Sequence, residues 1–121
     1  RQLVTVIKER YSQVEVLAVG TNSLATGAML KEGADQAATG ENSVVVASAR
    51  VDVILGPVGI VIADSMLGEI TPKMALAVGQ SSAKRILIPV NLCDNIIVGV
   101  SDTSMSKNVQ NAADALEMLI N

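Results

Sequence analysis

An α/β fold, with an open and mostly parallel sheet covered by helices on both faces, follows from three observations. Short aliphatic runs, VEVLAVG (14–20), VDVILG (51–56) and RILIPV (85–90), alternate with segments of helix length. The runs are apolar almost throughout, the pattern of strands buried on both faces of a parallel sheet. The 121-residue chain is half hydrophobic, yet it lacks Phe and Trp and has Tyr11 as its one aromatic residue. Its core must therefore be built from Val, Ile, Leu, Ala and Met, which suits helices packed closely on a sheet. Strands joined through helices by right-handed crossovers give a three-layer, Rossmann-like single domain.

The elements can be taken in order. RQLVTVIKERY places Leu3, Val4, Ile7 and Tyr11 at helical spacing and is read as a helix, although its β-branched residues also suit a strand. The strand 14–20 ends at Gly20. Ser23 is the expected N-cap of a helix through about Glu32, closed by Gly33. A weak strand, ADQAAT (34–39), a helix from Asn42 to about Arg50 and the strand 51–56 complete a βαβαβ series, ending at Gly56-Pro57. Val58 to Ala63 are expected to stay buried while crossing the sheet edge. Thr71-Pro72 is a cap followed by proline at the first helical position, leading a helix to about Ser82. After the strand 85–90, Asn91 to Asn95 are too few for a parallel crossover, so IIVGV (96–100) is expected to be antiparallel or at an edge. Ser104 or Ser106 caps a last helix, in which Val109, Ala112, Ala113, Leu116, Leu119 and Ile120 form one apolar face. A doubly wound sheet normally opens with a strand, and no capping residue stands before Arg1, so a strand and its turn are expected ahead of it. Ala25-Thr26-Gly27 and Ala38-Thr39-Gly40 echo each other, but a tripeptide of common residues is no repeat.

Composition excludes several function classes. A net charge of −3, from 9 basic and 12 acidic residues spread along the chain, provides no basic stripe for nucleic acid or an anionic membrane surface. One cysteine and no histidine rule out an intrachain disulfide, the usual zinc sets and a Ser-His-Asp triad. Cys93 has no histidine to activate it and is read as a small buried residue. The apolar run Val53–Ala63 is shorter than the roughly 20 residues of a membrane helix, and no export leader is visible, so a cytoplasmic location is expected. High hydrophobicity with few charges also predicts a homodimer.

Ligands in open α/β sheets bind beyond the carboxyl ends of the strands, where helix N-termini present free N–H groups. The segments falling there are Gly20-Thr21-Asn22-Ser23, Thr39-Gly40-Glu41-Asn42, Gly56-Pro57-Val58-Gly59 and Pro89-Val90-Asn91. Their glycines permit close backbone approach, and Thr, Asn and Ser supply neutral donors and acceptors. The same residues serve turns and caps without any ligand, which is the plainer reading for Ser23, Asn42, Gly20, Gly33 and Gly40 taken singly. The stretch 64–71 carries more weight: Asp64, Ser65, Gly68, Glu69 and Thr71 follow an apolar run and precede a helix. Asp64 and Glu69 are the candidate catalytic pair, as base and acid or as oxygen ligands of Mg²⁺, and a solvated loop capping the next helix is the alternative.

AVGTNSLATGAMLKEGADQAATGEN, GPVGIVIADSMLGEITPKMA and RILIPVN, in that order, resemble the bacterial family described as domain of unknown function 3842. The resemblance runs over nearly the whole chain. It implies a Rossmann-like fold whose members usually begin with a hydrophobic strand and a glycine-rich turn, a fingerprint these residues do not contain. It implies a ligand edge and no particular reaction.

The leading expectation is a protein that binds a nucleotide or dinucleotide at the carboxyl edge. Sheets that favour NAD commonly end their second strand in an acid for the ribose hydroxyls. Here Thr21 and Asn22 stand in that place, so NADP or a mononucleotide is as good a candidate as NAD. The alternatives are an enzyme acting on a small metabolite through Asp64 and Glu69, and a non-catalytic oligomeric regulatory subunit.

Overall fold

Helix α1 (Gln2–Arg10) takes the helical side of its ambiguity because Val4 and Ile7, one turn apart, are both buried when it coils. The structure, a computed structural model, describes residues 2–90, 92, 94–100 and 104–120. Asn91 and Cys93 lie outside the described residues. After α1 come strand β1 (Leu17–Gly20), helix α2 (Ser23–Lys31), strand β2 (Gln36–Thr39), helix α3 (Glu41–Ser48) and strand β3 (Val53–Pro57). A 3₁₀ turn (Val58–Val61), helix α4 (Pro72–Gln80), strand β4 (Lys84–Ile88) and helix α5 (Met105–Ile120) follow. No helix among the described residues is long and apolar enough to cross a membrane.

The fold is mixed α/β with parallel strands, but the strands form two sheets of two strands each in place of one open sheet. β1 pairs with β2, Ala18 opposite Ala37, and β3 pairs with β4, Leu55 opposite Ile86. Residues 96–100 form no strand. Gly99 takes a positive φ of 84° in a turn, and Ile96 and Val98 are nearly fully exposed. β-branched composition alone does not make a strand when no neighbouring edge pairs with it. Val58 and Ile60–Ile62 are half-buried and Ala63 is exposed, so the crossing segment is less enclosed than expected.

Besides a cluster of Val4, Ala18 and Ala34 with Met29 of α2 packed against it, two further apolar clusters hold the helices. Ile7 and Tyr11 of the first helical segment meet Leu116 of α5, and Val16, Val53, Leu55 and Ile86 pack around them. Burying each aliphatic side chain of this kind contributes about 1.5–3 kcal/mol. The Tyr11 hydroxyl donates to the Ala113 carbonyl at 2.9 Å, so the aromatic ring enters the core with its polar end satisfied. Of the face predicted for α5, Val109, Ala112, Ala113 and Leu116 are buried and Ile120 is half-buried, while Leu119, in the last turn, is exposed. The second cluster joins Ile70 to Met74 and Ala75 of α4, with Val44 of α3 packed against it.

Asp35 fastens the start of both strands of the first sheet. Its Oδ2 accepts from the Val16 N–H at 2.8 Å and from Lys8 Nζ at 2.9 Å, tying α1, β1 and β2 together. The Val16 N–H first, and Lys8 second, hold its carboxyl below the ordinary value of 3.8. A lowered folded-state pKa contributes stability that is fully present above the unfolded value and is lost as pH falls from there through the lower folded value. Asp35→Asn is therefore expected to lower the melting temperature at pH 7. The gap to the parent should close as the pH falls below about 4, the unfolded value. Melting curves across pH 2–7 check this, and salt should weaken only the Lys8 share.

Candidate functional site

Parallel pairing sends the strands of each sheet in one direction, so each pair delivers its carboxyl ends to a common edge where the next helix starts. At the end of β1, the Asn22 side chain caps α2 by accepting from the Ala25 N–H at 2.9 Å. The cap is thus one residue earlier than the expected Ser23, which is the first helical residue and exposed. Gly40, at φ 103°, precedes α3 without a side-chain cap, and Glu41 occupies the first turn, where a carboxylate complements the helix dipole. Thr71 caps α4 as predicted, accepting from the Met74 N–H at 3.1 Å with Pro72 at the first position.

Two threonine–glutamate hydrogen bonds join these helix starts. Thr71 Oγ1 donates to Glu41 Oε2 at 2.6 Å, linking α4 to α3. Thr21 Oγ1 donates to Glu69 Oε1, linking the end of β1 to the loop before α4. Thr21, Glu41, Glu69 and Thr71, scattered over 51 positions of sequence, thereby become one polar edge spanning both sheets. Glu69 is exposed, while Thr21, Glu41 and Thr71 are half-buried. Asn42 is exposed with no side-chain hydrogen bond among the described residues.

The loop from Asp64 to Ile70 is bent into an unusual shape. Asp64, Met66 and Leu67 take φ of 66°, 55° and 56°, followed by Gly68 at 88°. Left-handed backbone costs an L-residue about 1–2 kcal/mol, tolerated by Asp but not favoured by Met or Leu. The neighbours supply the compensation. Asp64 N–H donates to the Ile70 carbonyl at 2.7 Å and Ile70 N–H to the Ser65 carbonyl at 3.3 Å, closing the loop on itself. Ile70 is buried, and Leu67 at the tip is wholly exposed. No hydrogen bond joins Asp64 to Glu69, and the Asp64 side chain is exposed and makes none among the described residues.

Several predicted contact residues turn out to serve the fold. Ser65 is fully buried, and its hydroxyl donates to the Gly59 carbonyl at 2.5 Å, which anchors the loop. Gly20 is buried against α2. A Cβ there would collide with Thr26 Oγ1 and lie 2.9 Å from the Thr26 nitrogen. Thr26 itself is buried, donating to the Asn22 carbonyl at 3.0 Å and accepting from Thr39 Oγ1 at 2.8 Å, which is where the two Ala-Thr-Gly tripeptides meet. Gly56 and Gly59 are also buried; a Cβ on Gly56 would come within 3.0 Å of Ile60 Cδ1. Pro57 is half-buried and Gly68 exposed.

A family model matches residues 1–121. The chain belongs to the family described as Domain of unknown function (DUF3842). No curated protein and no solved structure matches it. Within this family member, no group of three or more His, Cys, Asp or Glu among the described residues is arranged to hold a metal ion. A shallow groove of about 450 Å³ lies elsewhere, lined by Gln2, Thr5, Val6, Glu32, Ser106, Val109 and Gln110, none of them a predicted site residue.

Sequence reasoning missed the pairing of Thr21 with Glu69 and the left-handed Met66 and Leu67. Gly68 signalled a turn, but nothing in the sequence signalled that two large side chains would share its conformation. Ser65→Ala is expected to lower stability by about 0.5–1.5 kcal/mol, because the buried Gly59 carbonyl loses one of its two donors and keeps only the Ile62 N–H. Gly20→Ala should also destabilise by overpacking Thr26, and urea unfolding of both variants checks the assignment.

Proposed function

We propose that this protein binds a nucleotide or dinucleotide at the polar edge formed by Thr21, Asn22, Glu41, Glu69 and Thr71. The observation that carries the reading is the pair of Thr–Glu hydrogen bonds, which gathers the starts of α2, α3 and α4 around one edge. Helix N-termini offer N–H groups and partial positive charge to phosphate oxygens, and the threonines and Asn22 offer neutral hydrogen-bonding groups. Glu69 alters the expected choice of ligand. The end of β1 has no acid of its own, but Glu69 reaches Thr21 from another loop and offers a carboxylate to ribose hydroxyls. A carboxylate there repels a 2′-phosphate, which favours NAD or a mononucleotide over NADP.

A second reading rests on the left-handed Asp64. Strained backbone concentrates at functional sites, and an exposed carboxylate held on such a residue suits acid or base work on a small metabolite. Asn also tolerates this conformation, so Asp64→Asn should abolish such an activity while leaving the melting temperature nearly unchanged.

Thermal shift against NAD, NADP, AMP, ADP and ATP tests the leading reading. A ligand at about 100 times its Kd stabilises by about 2.7 kcal/mol, which raises the melting temperature by several degrees. NAD or an adenine mononucleotide is expected to do so, with Glu69→Gln weakening binding by about 10-fold, the loss of roughly one charged hydrogen bond. No stabilisation by any of the five removes the proposal.

A further inference from the structure

We propose that Leu24 and Leu67 cover the two faces of the nucleotide's adenine base, across the Thr21–Glu69 hydrogen bond; this rests on the nucleotide reading of the polar edge. Apolar exposure is uneven in the molecule. Among the described residues five large apolar side chains are more than four-fifths exposed, and four of them, Leu24, Leu67, Ile96 and Val98, lie in segments that follow the carboxyl ends of β1, β3 and β4. The fifth, Met118, is in the last turn of α5. Exposed leucines scattered singly need no explanation, but their concentration on the edge where the helices start does.

Leu67 combines two costs. Its φ of 56° is left-handed backbone, which leucine disfavours and glycine or asparagine would accept, and its side chain is wholly exposed. The folded chain thus gains no burial from it. Ser65 and Ile70, which fix the ends of the loop, keep Leu67 in this position. Backbone held in sparsely populated regions concentrates at ligand contacts, and an apolar side chain presented in this way suits a surface that arrives from outside. Leu24 is presented just as openly. It is the second residue of α2, two positions after the Asn22 cap, and is 85% exposed.

The Thr21–Glu69 hydrogen bond brings the two leucines near each other. Leu24 follows Thr21 by three residues and Leu67 precedes Glu69 by two, so their Cα atoms lie within about 11 Å and about 8 Å of those of the bonded residues. Side chains that cover both faces of a flat ring stand about 7–8 Å apart, twice a van der Waals contact, and these bounds allow it. Ile96 and Val98 lie on neither of the two joined segments. Composition points to the same kind of contact. Phe and Trp are absent and Tyr11 is buried, so no aromatic side chain is free to stack on a base, and aliphatic ones must cover it. With Glu69 on the ribose hydroxyls and the base between Leu24 and Leu67, the polar and apolar parts of the ligand each meet a matching surface.

Calorimetric titration with AMP and NAD tests the pair, with ribose 5-phosphate as the ligand that keeps the diol and the phosphate but has no base. Leu67→Asn accepts the left-handed backbone and Leu24→Gln keeps helix propensity, so both variants are expected to melt within about 2 °C of the parent. Each is expected to weaken AMP and NAD about 10-fold, the loss of one apolar side chain's contact, and to leave ribose 5-phosphate unchanged. Glu69→Gln, acting on the ribose, should weaken all three. Nucleotide binding that Glu69→Gln weakens and neither leucine variant alters overturns the base contact and leaves the nucleotide reading standing. No binding of AMP or NAD to the parent removes both. An equal loss for ribose 5-phosphate in the leucine variants also overturns the proposal, since they would then act through the shape of the edge. So does a dimer, seen by sedimentation, that Leu67→Asn converts to monomer, which assigns the exposed leucine to a second copy.

Discussion

The apolar seam between α1 and α5 is the contact on which the rest of the structure depends. Among the described residues no strand pairing joins the two sheets, so their relation is set by side chains that reach both. Ile7, Tyr11 and Leu116 do this, drawing in Val16 from the start of the first sheet and Val53, Leu55 and Ile86 from the second. In a chain without Phe or Trp, Tyr11 is the one large flat side chain available for spanning such a distance. Its hydroxyl, bonded to the Ala113 carbonyl, fixes α1 and α5 against sliding along each other, and Arg10 with Asp114 at 2.6 Å repeats the contact at the surface. The aliphatic residues supply the burial energy, and the hydroxyl supplies the register.

The polar edge inherits its geometry from that seam. Glu69 reaches Thr21 only if the second sheet is held beside the first, and Glu41 reaches Thr71 only if α3 and α4 lie together. The loop that carries Glu69 holds three non-glycine residues in left-handed backbone, at a combined cost of about 3–6 kcal/mol if each costs 1–2. Such a shape persists because its ends are buried: Ser65 is anchored to the Gly59 carbonyl, and Ile70 lies in the core beside Met74. Rigid ends with an exposed centre put the strain on the segment that presents Glu69 to solvent.

Local features were legible in the sequence, and non-local ones were not. Thr71-Pro72 announced the cap of α4 because both residues act within one turn of themselves, and the spacing of Val109, Ala112, Ala113 and Leu116 announced the buried face of α5. The glycines were recognised as turn residues, but the sequence did not show that Gly20 is required by a close approach to Thr26, six residues on. Residues 96–100 have strand composition without a strand, because pairing needs an edge that composition does not supply. Whether Leu17 and Val19 face β2 or the opposite edge depends on register, and a one-residue slip reverses the answer.

The strand-end acid shows the same limit at the level of chemistry. Thr21 and Asn22 close β1 without a carboxylate, and from the sequence that position leaves NAD no better a candidate than NADP or a mononucleotide. The fold brings the carboxylate from 48 residues away. A hydrogen bond from Thr21 leaves the other oxygen of Glu69 open to a further donor, and threonine holds the first oxygen in place without cancelling the charge. An acid belonging to the strand would be fixed by the ladder; one delivered by the 64–70 loop is fixed by Ser65 and Ile70 instead. The recognition proposed for this edge therefore rests on the core beneath the loop as directly as on the residues that line it.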